Sequence, residues 1–86
     1  MDAQRTQELI VKYRKSETDT GSAAVQIIQL TERIVHLTAH LKVHKQDKHT
    51  QRGLLKLVGT RRRLLGYLEK TDLTLFRELK KELGIR

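Results

Sequence analysis

The four histidines are the residues whose type and spacing could do chemistry. His36, His40 and His44 recur every four residues, so on a helix they share one face, and His49 follows shortly after. Two histidines at this spacing can hold zinc, but a competent site needs a third and usually a fourth ligand, and the HExxH pairing is absent. His36 and His44 lie two turns apart, too far to share one tetrahedral shell, although Asp47 or His49 could complete one. We therefore expect these histidines to contact a partner or cap a helix end, with no bound metal.

Catalytic motifs are absent from the sequence. There is no GxSxG, P-loop or GxGxxG pattern, and Gly53 and Gly59 fall inside a helical pattern where they cradle nothing. Ser16 and Ser22 precede helical segments and are typical of helix caps rather than nucleophiles. The chain has no cysteine, which excludes a cysteine nucleophile, a thiolate metal cluster and a disulfide framework. We predict a protein that is not an enzyme and needs no cofactor.

Positive charge is concentrated in one segment of the chain. The 86 residues carry 18 Lys/Arg and 10 Asp/Glu, for a formal net charge of +8 at pH 7. Residues 49–71 hold six of the basic side chains, including Arg61, Arg62 and Arg63, but only one acidic side chain, Glu69. A basic helix beside otherwise balanced segments is typical of a polyanion partner, because neutralising phosphates releases counterions. The alternative is a solvated helix face kept basic for solubility.

Four helices are the elements that must position these residues. We predict them at about 3–15, 23–43, 50–70 and 72–83, in a chain without proline. Ser22 and Asp72 are predicted N-caps, and Gly84 is a predicted left-handed stop. Apolar side chains at helical spacing form the predicted core: Ile27, Leu30, Ile34, Leu37 and Leu41 with Val25, Ile28 and Val35 beside them, and Leu54, Leu57, Leu64 and Leu68 with Leu55, Val58 and Leu65 beside them.

These helices predict an all-α fold in a single domain over residues 1–86. The two long helices are joined by a short polar run, so they should pack as an antiparallel hairpin, with the C-terminal helix packed on it. The polar loop after the first helix leaves that helix free to move relative to the hairpin. No apolar run approaches the roughly 18 residues of a membrane span, and the first residues do not resemble a signal peptide. We therefore expect a soluble, intracellular protein without membrane contact.

The hairpin geometry predicts polar groups at both of its ends. The loop that ends at Ser22 should lie near Tyr67, and the 44–50 turn should lie near His40. Twenty helical residues separate the two ends by roughly 30 Å. A DNA reader normally lays a short recognition helix in the major groove after a tight turn, and these helices are too long for that. A rigid basic rod with hydrogen-bonding groups at both ends is suited to structured RNA, where shape, phosphates and the shallow minor groove are recognised.

A combination of short segments, covering essentially residues 5–86, resembles the bacterial and organellar ribosomal protein S15 family. No single segment is specific, but the combination is. The segments are Asp19–Ser22, Val25–Gln26, Leu30–Ile34, Leu37–Thr38, His40–Lys42, His44–Lys45, Asp47–Thr50, Arg52–Leu55, Arg61–Leu65, Tyr67–Leu68 and Leu83–Arg86.

The resemblance implies a four-helix structural constituent of the small ribosomal subunit. Such a protein binds a three-way junction in the central domain of small-subunit ribosomal RNA early in assembly, before neighbouring central-domain ribosomal proteins join. In the mature ribosome it lies at the subunit interface and bridges to large-subunit ribosomal RNA. The residues that match the family's junction contacts are Thr20, Gly21, Gln26 and Tyr67. The residues that match its contacts to the minor groove of an adjacent G·U/G·C helix are His40, Asp47 and Thr50.

Phosphate contacts and departures from the family complete the predicted site. The predicted phosphate contacts are Arg33, Arg52, Arg62 and Arg63. Ala24 stands where the family usually has Glu, so we expect one polar contact to be missing at the start of the second helix. Thr50 replaces the usual Ser, which keeps the hydroxyl and adds a methyl group. Lys48 stands where His is common, which adds charge beside the minor-groove residues.

Two other functions stay open on the residues alone. A basic helical protein–protein interaction module would present an exposed apolar surface to an acidic partner and would bind RNA only weakly. A DNA-binding module is the second of these alternatives. From the resemblance we expect a protein that is monomeric when free and is located in the cytoplasmic or an organellar ribosome. Repression of its own messenger RNA rests on the resemblance alone.

Overall fold

The computed structural model describes residues 3–14 and 21–85, which form four helices. In chain order these are α1 (Ala3–Tyr13), α2 (Ala23–Val43), α3 (Lys48–Thr71) and α4 (Leu73–Leu83). The helices α2 and α3 form an antiparallel hairpin, and α1 and α4 pack over one end of it. The described residues contain no β-strand, and none of their helices has the length and apolarity needed to cross a membrane. The predicted all-α fold on a long hairpin is confirmed.

Three helix ends are set by the capping residues that the sequence predicts. The hydroxyl oxygen of Ser22 accepts a hydrogen bond from the backbone N–H of Val25 at 3.3 Å. Asp72 Oδ1 accepts one from the backbone N–H of Leu75 at 3.2 Å, so both predicted N-caps are confirmed. Gly84 ends α4 with a φ angle of 65°, in the left-handed region where glycine has no Cβ to clash.

The start of α3 differs from the prediction of residue 50. Asp47 Oδ1 accepts a hydrogen bond from the backbone N–H of Thr50 at 3.0 Å, which makes Asp47 the N-cap and Lys48 the first helical residue. The sequence predicts a polar connection through His49, because polarity alone does not separate a loop from a capped first turn. At the other ends, α3 continues to Thr71 and α1 ends at Tyr13.

The buried core lies at the end of the hairpin that α1 and α4 cover. Ile27 and Ile28 of α2 and Leu79 of α4 are fully buried, and Leu9 and Leu68 are nearly so. These five side chains bring all four helices into one apolar cluster. The predicted stripes are therefore confirmed at this end of the molecule.

The far half of the hairpin is less buried than the sequence predicts. Val35, Leu55 and Val58 were expected beside the apolar stripes, but 39%, 73% and 38% of their surfaces are exposed. Val58 borders the groove between α3 and α4, and from there to the turn α2 and α3 pack only against each other, because α1 and α4 are too short to reach that part. Two helices bury a single seam, so side chains beside the seam face solvent.

The helix α1 is packed against the hairpin and linked to α4. Thr6 and Leu9 are buried on its inner face. Lys12 Nζ donates to Glu82 Oε1 at 2.8 Å, and the Arg5 guanidinium donates to the backbone carbonyl of Glu82 at 3.2 Å. The hydrogen bond and charge of Lys12 lower the pKa of Glu82, and those of Glu82 raise the pKa of Lys12. That α1 can leave this position stays a prediction.

Candidate nucleic-acid interface

The first polar cluster lies where α2 begins and α3 ends. Gln26 Nε2 donates to the backbone carbonyl of Gly21 at 2.6 Å, which holds the segment entering α2 against its first turn. Tyr67 projects from α3 with 59% of its surface exposed. The three residues line one cleft of about 680 Å³. We call Gly21, Gln26 and Tyr67 the cleft cluster.

Three of the four predicted junction residues are therefore brought together. The fourth, Thr20, lies outside the described residues. The walls of the cleft also include Tyr13 and Thr71, which the sequence does not predict for this site. Tyr13 is the last residue of α1, and it reaches the cleft because α1 packs against α2. No local sequence signal could have indicated that packing.

The second polar cluster lies at the turn between α2 and α3. His40 Nε2 and Asp47 Oδ2 are 3.0 Å apart. The Thr50 hydroxyl donates to the same Asp47 oxygen at 2.6 Å, while the Thr50 backbone N–H donates to the other. One carboxylate thus joins the last turn of α2 to the first turn of α3. All three predicted minor-groove residues meet here, and we call His40, Asp47 and Thr50 the turn cluster.

Hydrogen bonding fixes the chemical state of the turn cluster. The hydrogen bonds from the Thr50 hydroxyl, the Thr50 backbone N–H and His40, in that order, hold the pKa of Asp47 far below its usual range. An ionised carboxylate only accepts hydrogen bonds, so His40 must carry its proton on Nε2 to donate. The side chains of His40 and Asp47 keep 42% and 32% of their surfaces exposed, so a partner can still reach them.

The other three histidines are not arranged as the zinc ligands that their spacing in the sequence would allow. The His44 ring lies 4.6 Å from the His40 ring, centroid to centroid, and supports it from the side. His36 and His49 are exposed. In residues 3–14 and 21–85, no three His, Asp or Glu side chains are arranged to hold a metal ion.

The four predicted phosphate contacts, Arg33, Arg52, Arg62 and Arg63, are all exposed. The ion pairs of the described residues involve none of them, so their charges are available to a polyanion. Arg63 lies one turn before Tyr67 on the same side of α3, whereas Arg62 lines a groove between α3 and α4. The sequence treats Arg62 and Arg63 alike, but the fold separates them.

Arg61 is a structural residue of the hairpin. It interrupts the apolar stripe as the sequence indicates, and its guanidinium donates to the Thr31 hydroxyl of α2 at 3.3 Å. Partial burial lowers the pKa of Arg61.

Ala24, the departure at the start of α2, is only 3% exposed and belongs to the core cluster. Its methyl group packs among apolar side chains and offers a partner no polar contact.

The fold and the two clusters define a small, basic, all-helical protein that displays hydrogen-bonding groups at both ends of a rigid hairpin. About 26 Å of helix separates Thr50 from Tyr67 along α3, and the longest dimension of the molecule is 40 Å. Such a spacing exceeds what a small ligand could bridge. It is suited to a macromolecular partner with two separate contact regions.

Comparison with known proteins identifies the family. The sequence model of ribosomal protein S15 matches residues 6–86. The small ribosomal subunit protein uS15 of Heliobacterium modesticaldum is 56% identical over 86 residues, covering 100% of this chain and 97% of the relative. The uS15 proteins of Oceanobacillus iheyensis (57% over 83 residues, 96% and 93% coverage) and Clostridium botulinum (55% over 86 residues, 100% and 99% coverage) are similarly close. The chain belongs to the ribosomal protein S15 family.

Family membership settles the broad functional class. The protein has a structural role in the ribosome and acts in the cytoplasmic ribosome. The prediction that it is not an enzyme is confirmed by the family, and so is the resemblance on which the site residues were assigned.

Proposed function

We propose that this protein binds a three-way junction of small-subunit ribosomal RNA through the cleft cluster and the minor groove of an adjacent G·U/G·C helix through the turn cluster. The observation that carries the proposal is the placement of two hydrogen-bonding clusters at opposite ends of one basic hairpin. Each cluster contains the residues that match the family's contacts, apart from Thr20.

The cleft cluster has the chemistry that a junction requires. At a junction the strands diverge, so bases and backbone become accessible away from a regular helix. The exposed Tyr67 offers an aromatic face for stacking and a hydroxyl for a phosphate or sugar. Gln26 supplies an amide whose position is fixed by its bond to Gly21, which lowers the entropy lost on binding.

The turn cluster has the chemistry that a minor groove requires. The wide, shallow minor groove of an RNA helix exposes 2′-hydroxyls and base edges, including the amino group of guanine. An ionised Asp47 accepts from such donors, and His40 is held at a fixed distance beside it. A G·U pair displaces these groups from their positions in a G·C pair, so a rigid cluster can discriminate between the two.

Affinity comes from arginine–phosphate contacts. Arg33, Arg52 and Arg63 are exposed and lie on the two hairpin helices, where they can neutralise phosphates between the two contact regions. Arg62 lies on the α3–α4 side, so we assign it a contribution through its electric field rather than a direct contact.

The ribosomal partners follow from the same proposal. Binding at a junction fixes the angles between RNA helices, which prepares the central domain for the ribosomal proteins that join next. In the complete ribosome we propose contacts to neighbouring central-domain proteins and, across the interface, to large-subunit ribosomal RNA. We propose that the free protein is a monomer, and that a structured segment of its own messenger RNA can occupy the same two clusters.

The experiment compares a three-way-junction RNA with a linear duplex that contains the same helices. Filter binding should give a dissociation constant at least tenfold lower for the junction, and Gln26→Ala should lose most of that preference. Gln29→Ala is the matched control, because Gln29 is exposed on the same helix outside the cleft cluster. Equal binding of junction and duplex would contradict the proposal.

A further inference from the structure

A groove of about 280 Å³ runs between α3 and α4 and takes no part in the proposed RNA contacts. Its floor is apolar and includes Leu65, Phe76 and Ile85, while Arg62 and Lys80 lie on its rim together with the acidic Glu69. The floor residues are half-buried, so part of their apolar surface still faces solvent. An open apolar floor with a cationic rim is typical of an interaction surface.

The groove keeps an excess of positive charge, because Glu69 is the one acidic side chain among the described residues that line it, against Arg61, Arg62 and Lys80. The ion pairs among residues 3–14 and 21–85 join Arg5 and Lys12 to Glu82 and His40 to Asp47, so none involves a rim residue. Arg61 also lines the groove, is partly buried, and donates to the Thr31 hydroxyl rather than to a carboxylate. A cation that has lost water without gaining a carboxylate is stabilised by an incoming anion.

The groove faces away from the side on which RNA is proposed to bind. Each helical residue advances about 100° around the axis, so Leu65 and Glu69, two residues from Tyr67, lie about 160° from it around α3. An RNA seated on the Tyr67 side therefore leaves the groove open to a different macromolecule. This step rests on the proposed function.

We propose that the α3–α4 groove binds an acidic protein segment that inserts one bulky apolar side chain between the two helices. The cationic rim complements carboxylates on either side of such an anchor, and the volume suits one large side chain rather than a whole helix. A single-stranded RNA fits less well, because base stacking needs a free aromatic face. The Phe76 ring already has the Lys80 ammonium 5.3 Å from its centroid.

The test uses the full chain, labelled with nitrogen-15, and synthetic nine-residue peptides. The probe peptide has four acidic residues on each side of a central phenylalanine, and its control has alanine at the centre. Titration should move the amide signals of Gly66 and Ile85 with the phenylalanine peptide, at an affinity about tenfold above that of the control. Equal affinities, or shifts spread over all basic residues, would overturn the proposal by leaving only non-specific charge attraction.

A blocking variant gives the second measurement. Gly66 lines the groove and a Cβ there meets nothing within 4 Å, so Gly66→Gln should fold and place its side chain in the groove. Gly59→Gln is the matched control, since Gly59 is exposed on the same helix, is equally unobstructed and does not line the groove. We expect Gly66→Gln to weaken the phenylalanine peptide about tenfold and Gly59→Gln to leave it unchanged. Equal effects of the two variants would overturn the proposal.

A final arm separates this groove from RNA binding. A single-stranded oligouridine should not displace the peptide, and junction RNA should bind the peptide-loaded protein as it binds the free protein. Displacement by oligouridine would identify the groove as an RNA surface and overturn the proposal. If the unmodified protein without peptide did not bind junction RNA, the proposed function would be contradicted instead. The peptide titration would still show whether the groove binds an acidic segment.

Discussion

His40 and Asp47 lie seven residues apart in the sequence, yet His40 Nε2 and Asp47 Oδ2 are 3.0 Å apart across the turn between α2 and α3. The same Asp47 side chain caps α3 through the backbone N–H of Thr50. The group that begins the helix is therefore also a group proposed to contact RNA. The hydrogen bonds that form the turn therefore also position the atoms that are proposed to contact RNA.

The first prediction separates the charge of Asp47 from its capping role. Asparagine caps helices as well as aspartate, so Asp47→Asn should keep α3 intact while removing the carboxylate. We expect the preference for an RNA with the G·U/G·C helix over one with that helix altered to fall about tenfold. Binding to both RNAs gives the preference, and circular dichroism checks the helix. An equal loss for both RNAs would contradict a role in discrimination.

The second prediction concerns acid stability. The unfolded chain has an aspartate pKa near 3.9, and the native pKa of Asp47 lies below it. At pH values below about 4 the unfolded state therefore binds a proton that the native state does not, so protonation favours unfolding. The stabilisation is complete at neutral pH and is lost progressively as the pH falls through this acid range.

Urea unfolding of the unmodified protein and Asp47→Asn from pH 6 to pH 2 measures this effect. Glu82 also has a lowered pKa, so the variant should keep part of the acid sensitivity. The free energy of unfolding of Asp47→Asn should decline less steeply with falling pH. Parallel curves for the two proteins would show that Asp47 does not have the lowered pKa.

The third prediction distinguishes two neighbouring arginines. Arg63→Ala should weaken binding to all RNAs alike and reduce the slope of log K against log salt by about one, as loss of one phosphate contact should. Arg62→Ala, on the α3–α4 side, should change that slope less. The two variants remove the same charge from adjacent positions, so each controls for the other. Identical slopes would show that the side of the helix does not matter.

The fourth prediction tests the core. Leu79 is fully buried, so Leu79→Ala should lower the free energy of unfolding by about 2–5 kcal/mol. Leu55→Ala is the matched control, because Leu55 is 73% exposed and its replacement should change stability by about 0.5 kcal/mol or less. Urea denaturation with unchanged m values gives both numbers. A similar loss in the two variants would contradict the assigned position of the core.

Local signals in the sequence predicted much of the fold. Ser22, Asp72 and Gly84 set helix ends through chemistry within three or four residues, so their roles can be predicted without the fold. The predicted start of α3, residue 50, lies two residues after the observed start at Lys48, because Asp47 could equally end a loop or cap a helix. The prediction that Leu55 belongs to the core was wrong, because helical periodicity identifies an apolar face but does not show whether a third helix covers it.

In the candidate site, too, some contacts can be predicted from the sequence and others depend on how the helices pack. Hairpin geometry predicts that the loop ending at Ser22 lies near Tyr67 and that the 44–50 turn lies near His40, whereas Gln26 and Asp47 are assigned from the family resemblance. In the structure Gln26 shares the cleft with Tyr67, and Asp47 lies 3.0 Å from His40. The different sides that Arg62 and Arg63 face depend on where α4 packs, which no local pattern shows. The contact of Lys12 with Glu82 joins residues 70 positions apart and has no sequence signal either.

The most direct test of RNA recognition at both ends of the hairpin is one binding experiment across a salt series. It measures affinity for a junction RNA with the G·U/G·C helix, for the same RNA with that G·U pair changed to A·U, and for a DNA duplex. We predict tight junction binding, a clear loss for the altered RNA at every salt concentration, and weak binding to DNA. Equal affinities for all three that fall together with salt would contradict the account, because they would leave only a basic helical surface.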